Sequence, residues 1–116
     1  MHTIELSPRL LAVAGCVPPG VRFADVGTDH AYLPAYLLQR GVIDRAIASD
    51  LRRGPLDRAR QTADRCGLTE RISFRLCSGL DGISPEEVEA IAIAGMGGET
   101  ITAILAAAAW TSLGDY

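Results

Sequence analysis

The sequence predicts an α/β fold, a Rossmann-like three-layer sandwich around a parallel sheet of about four strands. Short apolar runs alternate with helical patterns four times within 116 residues, which is typical of βα units that share one sheet. The last of these runs, residues 90–94, contains no polar residue, as expected of a strand covered on both faces. Right-handed crossovers then give the strand order 3-2-1-4, with a switch point between the first and fourth strands.

The first elements follow from helix signals and apolar runs in the amino-terminal part. A leading helix at about residues 7–17 begins with Ser7 as its N-cap and Pro8 at the first helical position. The apolar residues 21–26 predict the first strand. Residues 33–40 predict a helix that ends at Gly41. The βα units together occupy about residues 21–110, so we expect one domain.

The second half repeats this pattern. Residues 45–50 predict a strand, residues 54–66 a helix stopped by Gly67, and residues 72–77 a third strand. Ser84 caps a short helix before the fourth strand. After residues 95–98 a final helix is predicted from Glu99, because apolar residues recur there at helical spacing: Ile101, Ile104, Leu105 and Ala108.

Composition excludes several classes of protein. The chain is 48% hydrophobic and 22% charged, as in globular domains. Because it lacks an apolar run of about 20 residues and a secretion signal, we expect a cytoplasmic protein with no membrane association. Cys16, Cys66 and Cys77 lack a C-x-x-C pair, so we expect buried reduced thiols and no metal site.

Charge is distributed unevenly. All eleven basic residues are arginines, none lies beyond Arg75, and the formal net charge is −3. The densest arginines fall on or just before the predicted second βα helix. They are interpreted mainly as a solvated helix face, with a weak basic surface as the alternative: Arg52, Arg53, Arg58, Arg60 and Arg65.

The turn after the first strand carries the strongest functional signal. Asp25, Gly27 and Asp29 lie between a buried strand and a helix, at the sheet edge where α/β proteins bind ligands. Both aspartates are also common turn formers. As ligand groups, two carboxylates near a helix start suit a cation such as an ammonium or a sulfonium.

Asp50 ends the second strand. A carboxylate there accepts the hydroxyls of a ribose in dinucleotide folds, and the alternative is a cap for the next helix. A dinucleotide is disfavoured because Asp29 and Tyr32 stand where the G-x-G-x-x-G motif requires glycine. The chain has no lysine, no G-x-S-x-G and no histidine pair, which excludes P-loop, esterase and zinc-hydrolase sites.

Two stretches resemble one family. Residues 25–34 (DVGTDHAYLP) and 93–99 (IAGMGGE), with Gly54-Pro55 between them, are similar to bacterial tRNA (adenine-N1)-methyltransferases that modify adenine 22. This resemblance covers about residues 6–105. It implies a class I fold, S-adenosylmethionine as cofactor and tRNA as partner. Family members continue through further strands and a helical extension, so the chain is expected to be the amino-terminal part of such a domain.

The resemblance and the predicted crevice assign residues to roles. The methionine part of the cofactor is expected on Asp25, Gly27 and Asp29, its ribose on Asp50, and its adenine near the third-strand turn. The complete cofactor-binding set is Asp25, Gly27, Asp29, His30, Asp50, Ser78, Gly79, Leu80, Ala94 and Gly95. The residues expected at the target base, and named as catalytic, are Asp29, Tyr32 and Met96. The turns at Gly27 and Gly95 are expected to face each other.

Two alternatives remain open from the sequence. One is a methyltransferase that acts on a small molecule. The other is a non-catalytic half-domain that binds cofactor, or that associates with itself or another chain through an open edge of the fourth strand.

Overall fold

A five-stranded sheet forms the frame of the molecule. The computed structural model describes residues 3–94 and 100–104. The strand order is β3-β2-β1-β4-β5. The strands are β1 (Phe23–Val26), β2 (Ala46–Asp50), β3 (Ile72–Leu76), β4 (Ala90–Ala94) and β5 (Thr100–Ile104). Strands β1 to β4 are mutually parallel, so the predicted order 3-2-1-4 is confirmed.

The fifth strand corrects the predicted final helix. Residues 100–104 pair antiparallel with β4, from Ala94 opposite Thr100 to Ala90 opposite Ile104. Four of these five residues are threonine or isoleucine, whose β-branched side chains favour strands over helices. The remaining positions of the predicted helix, Glu99, Leu105 and Ala108, lie outside the described residues.

The predicted open edge of the fourth strand is also wrong. Both edges of β4 are paired, one with β1 and the other with β5. Association of a second chain along β4 therefore has no free backbone groups to use. Within residues 3–94 and 100–104, the strand at this side of the sheet is β5.

Three helices lie where the sequence predicts them. They are α1 (Pro8–Gly15), α2 (Tyr32–Gln39) and α3 (Arg53–Arg65). Ser7 is the N-cap of α1, and its hydroxyl accepts a hydrogen bond from the Leu10 amide at 3.3 Å. The short helix after Ser84 is a single 3-10 turn with a capping box between Ser84 and Glu87.

Two apolar clusters cover the two faces of the sheet. The cluster on the helical face includes Phe23, Leu37 and Ile43, all nearly fully buried. On the opposite face, the chain between β3 and β4 contributes three side chains to the second cluster. The members of that cluster are Ala24, Val26, Ile47, Leu80, Ile83, Val88, Ile91 and Ile93. Burial of both faces explains why β4 is a continuous apolar run and why β1 and β2 are mostly apolar.

An ion pair fastens the β3–β4 connection to the sheet. The Arg75 guanidinium on β3 donates to both carboxylate oxygens of Glu87, at 2.7 and 2.5 Å. Arg75 also donates to the Gly82 carbonyl at 2.9 Å. The hydrogen bonds from Arg75 and from the Ser84 amide lower the pKa of Glu87 to about 2. This paired geometry fixes the connection that carries Leu80 and Ile83.

The cysteines match the prediction in part. All three are free thiols, Cys66 is buried, Cys77 is half-buried and Cys16 is exposed. Burial raises the pKa of the Cys66 thiol, which makes it unreactive. Cys16 is exposed because it follows the end of α1 rather than facing the sheet. In the described part of the chain, no cluster of residues has a metal-ligating arrangement, and no helix is long and apolar enough to cross a membrane.

Candidate functional site

The turn between β1 and α2 has an unusual backbone. Gly27, Asp29 and Ala31 adopt left-handed conformations, with φ of 76°, 53° and 61°. Aspartate tolerates this region, but a buried alanine rarely occupies it. The amides of Gly27 and Thr28 both donate to the Ser49 carbonyl at 2.9 Å, which ties the turn to the end of β2. Such backbone strain tends to occur at binding sites.

Asp25 lies buried beneath this turn, with 6% of its surface exposed. The Thr28 hydroxyl donates to its Oδ2 at 2.8 Å. Burial raises the pKa of Asp25 to about 7, the Thr28 hydrogen bond opposes this shift, and the charge of Asp50 adds to it. Burial therefore favours the neutral form of this carboxyl, a shift that the sequence pattern did not reveal.

Asp50 links the turn to α3. Its Oδ2 accepts from the Asp29 amide at 3.2 Å, and its Oδ1 accepts from the Arg52 amide at 3.1 Å. Arg52 is the N-cap residue of α3, so the predicted capping role is present in part. Each carboxylate oxygen has a second lone pair, which leaves acceptor capacity for ligand hydroxyls.

Asp29 is the exposed acid of the turn. Its Oδ1 lies 3.3 Å from Nη2 of Arg58 on α3, and its Oδ2 lies 4.0 Å from Nε2 of His30. The His30 ring stacks on Tyr32, with centroids 4.9 Å apart and an interplanar angle of 11°. The structure thus brings Asp29, His30 and Tyr32 together, and adds Arg58 to the group.

The third-strand turn follows β3 at the same edge of the sheet. Ser78 is exposed, and Gly79 is half-buried with a left-handed φ of 52°. The Leu80 side chain is buried in the apolar cluster beneath the turn. Any contact of Leu80 with a ligand would therefore be made by its backbone.

Two exposed leucines at the same edge were missed. Leu51 follows Asp50 and is 68% exposed, while Leu76 pairs in register with Asp50 and is 49% exposed. Large apolar side chains at the ends of two neighbouring parallel strands offer a surface for a flat ring. Both leucines lie at or next to the end of a predicted strand, and this position in the sequence could have identified them as site residues.

Only one side of the predicted crevice between the turns at Gly27 and Gly95 lies within the residues that the structure describes. Val26 at the end of β1 is next to Ile93 on β4, so the backbone of Ala94 reaches the same edge as Gly27. Gly95 and Met96, together with Gly97 and Gly98, lie outside the described residues.

A cavity of about 710 Å³ lies at the opposite edge of the sheet. It is lined by the starts of β1, β2 and β3 and by the ion pair of Arg75 with Glu87. None of the predicted site residues lines it. In parallel α/β sheets ligands bind at the carboxyl ends of the strands, so the acid-lined turn is the better candidate site.

The strand order and the acid-lined turn at the carboxyl ends of the strands define a Rossmann-like α/β domain. The sequence model of the family described as "Methyltransferase domain" matches residues 6–114. The chain therefore belongs to the methyltransferase-domain family.

Relatives with known names agree with this assignment. The chain is 43% identical over 107 residues to the tRNA (adenine(22)-N(1))-methyltransferase of Bacillus subtilis strain 168, covering 92% of this chain and 45% of the relative. The crystal structure of the B. subtilis m1A22 tRNA methyltransferase TrmK has a TM-score of 0.76 and 42% identity, covering 80% of this chain and 40% of that one. The resemblance noted from the sequence is thus confirmed.

A second solved structure was determined with a ligand. A putative tRNA (m1A22) methyltransferase from Streptococcus pneumoniae, in complex with S-adenosyl-L-methionine, has a TM-score of 0.75 and 43% identity. The alignment covers 79% of this chain and 44% of that chain. The chain thus spans less than half the length of the relatives that it matches.

Proposed function

We propose that this chain carries the cofactor-binding part of an S-adenosylmethionine-dependent methyltransferase that modifies N1 of an adenine in tRNA. The named relatives support adenine 22, in the D-arm, as the target. The structural observation that carries the proposal is the arrangement of Asp25, Asp29 and Asp50 around a left-handed glycine turn.

The acids fit a nucleoside that bears positive charge. When bound, S-adenosylmethionine supplies an electrophilic methyl group on a sulfonium. Asp25 and Asp29, with the half-buried backbone of Gly27, would hold its methionine end. A nearby cation favours the ionised form of a buried carboxyl, so such a ligand would ionise Asp25. A pyrophosphate would instead be repelled by these acids.

The nucleoside part of the cofactor extends the site towards β3. Asp50 would accept the ribose hydroxyls through its remaining lone pairs. Leu51 and Leu76 would flank the adenine ring, and the backbone of Ser78 and Gly79 would border it. The predicted roles of His30, Ala94 and Gly95 in holding the cofactor remain part of this proposal.

The target base requires a separate surface. Adenine N1 lies inside a base pair, so the base must be unpaired or flipped out before transfer. Tyr32, 38% exposed and stacked on His30, offers an aromatic platform for it. Asp29 would accept a hydrogen bond from the exocyclic amine and stabilise the positive charge that develops on the ring. Met96 is proposed to contact the same base.

Methyl transfer to tRNA transcripts tests this function. We expect the full chain to transfer a tritiated methyl group from S-adenosylmethionine to a transcript with adenine 22. A transcript with guanine 22 should accept none, because guanine N1 carries a proton. An Asp29→Ala variant should lose transfer to the first transcript, and an exposed Asp81→Ala variant is the matched control.

Two results would contradict the proposal. Labelling of a small-molecule fraction instead of tRNA would indicate a small-molecule methyltransferase. Binding of S-adenosylmethionine without transfer to any acceptor would indicate a cofactor-binding half-domain.

A further inference from the structure

Arg58 reaches from α3 to the cofactor turn. It lies on the second turn of that helix, and its guanidinium contacts a carboxylate 29 positions earlier in the chain, Nη2 to Oδ1 of Asp29 at 3.3 Å. A Cβ atom placed on Gly54 would lie 3.8 Å from Nη1 of Arg58. The arginine therefore passes over the glycine that is four residues earlier on the same helix face, where no side chain competes for the space.

The carboxylate it contacts is otherwise weakly held. Asp29 is in a left-handed conformation, its side chain is 59% exposed, and its amide is fixed by Asp50. His30 lies at 4.0 Å from the other carboxylate oxygen, beyond hydrogen-bond distance. Arg58 thus supplies the directed, charge-assisted hydrogen bond to this exposed carboxylate.

This contact has little to do with the stability of the fold. The two side chains are 47% and 59% exposed, and exposed ion pairs contribute little to folding because water and salt screen them. The orientation of the Asp29 carboxylate matters for binding and not for folding. A ligand group that must meet a carboxylate binds better when that carboxylate is already in place.

We propose that Arg58 is a positioning residue: it holds the Asp29 carboxylate in the orientation that receives the ligand and couples α3 to the β1–α2 turn. This inference rests on the proposed function, because Asp29 is assigned there to the cofactor and the target base. Arg58 itself is assigned a contact with neither of them.

A double-mutant cycle on S-adenosylmethionine affinity tests the proposal. Arg58→Gln should weaken binding to the full chain by about two- to fivefold, the range that corresponds to measured couplings of exposed ion pairs. In an Asp29→Asn background the same change should have no effect, because the positioned group is gone. Arg58→Lys should restore part of the affinity, since it keeps the charge but not the planar fork.

Arg65→Gln is the matched control for charge. It removes the same charge from the last turn of the same helix, about 10 Å along the axis from Arg58, and should leave the affinity unchanged. An equal loss for Arg58→Gln in both backgrounds, or an equal loss for Arg65→Gln, would overturn the proposal.

Amide hydrogen exchange of the ligand-free protein tests the positioning role of Arg58 without a measurement of ligand affinity. In Arg58→Gln the Asp29 amide should exchange at least about threefold faster, while the Gly27 and Thr28 amides should keep their rates. Unchanged exchange at Asp29 would count against the positioning role. If the native chain binds no S-adenosylmethionine, or if Asp29→Asn binds too weakly to complete the cycle, this exchange measurement decides on Arg58. Absence of binding to the native chain would refute the proposed function itself.

Discussion

Replacing Asp50 by alanine is expected to weaken S-adenosylmethionine binding at least about 100-fold, because two hydrogen bonds to a charged acceptor are lost at about 1.5–3 kcal/mol each. The same change removes the acceptor of the Asp29 and Arg52 amides, so the turn also loses its hydrogen-bonded link to the start of α3. Isothermal titration of the full chain measures the effect.

Two further variants separate the loss of a ligand contact from the loss of the hydrogen bonds that Asp50 accepts within the protein. Asp50→Asn keeps the shape and one acceptor oxygen and should lose less affinity than Asp50→Ala. Asp81→Ala removes an exposed acid from the β3–β4 connection and should bind as the native chain does. Native affinity in Asp50→Ala would show that this carboxylate caps α3 and does not contact the ligand.

Asp25→Asn is expected to stabilise the ligand-free protein at pH 8 by about 2–4 kcal/mol, from a pKa difference worth about 1.4 kcal/mol per unit. The pKa of Asp25 is raised from 3.8 to about 7 in the folded protein, mainly by burial. Between these values the folded state holds a proton that the unfolded state has released. The stability that Asp25 contributes is therefore fully present below pH 3.8 and is lost as pH rises to about 7.

Urea unfolding at pH 4 and pH 8 measures this effect. The advantage of Asp25→Asn should be present at pH 8 and nearly absent at pH 4, since both side chains are then neutral. Asp81→Asn, an exposed acid, should show no such pH dependence. A variant that is less stable than the native protein at pH 8 would mean that the Asp25 carboxylate is stabilised in the ligand-free fold.

The parallel sheet and the site edge were predictable from the sequence because they depend on local patterns. Apolar runs, helix caps and glycine stops placed β1 to β4 and all three helices, and crossover handedness gave their order. The same reasoning put Gly27 and Asp50 at one edge, where the Ser49 carbonyl and the Asp29 amide join them.

The rest depended on tertiary contacts. Residues 100–104 fit a helical spacing, but pairing with β4 outweighed it. The exposure of Leu51 and burial of Leu80 depend on how the β3–β4 connection folds back on the sheet. The contact of Arg58 with Asp29 joins residues far apart in sequence, and no local pattern marks it.

We propose that the acid-lined turn receives a positively charged nucleoside. Equilibrium titration of the full chain with S-adenosylmethionine and, side by side, with NAD⁺ tests this proposal. We expect saturable one-to-one binding of S-adenosylmethionine at micromolar concentrations and no binding of the dinucleotide, whose pyrophosphate meets three carboxyls at this edge. Binding of NAD⁺, or of neither ligand, would contradict it.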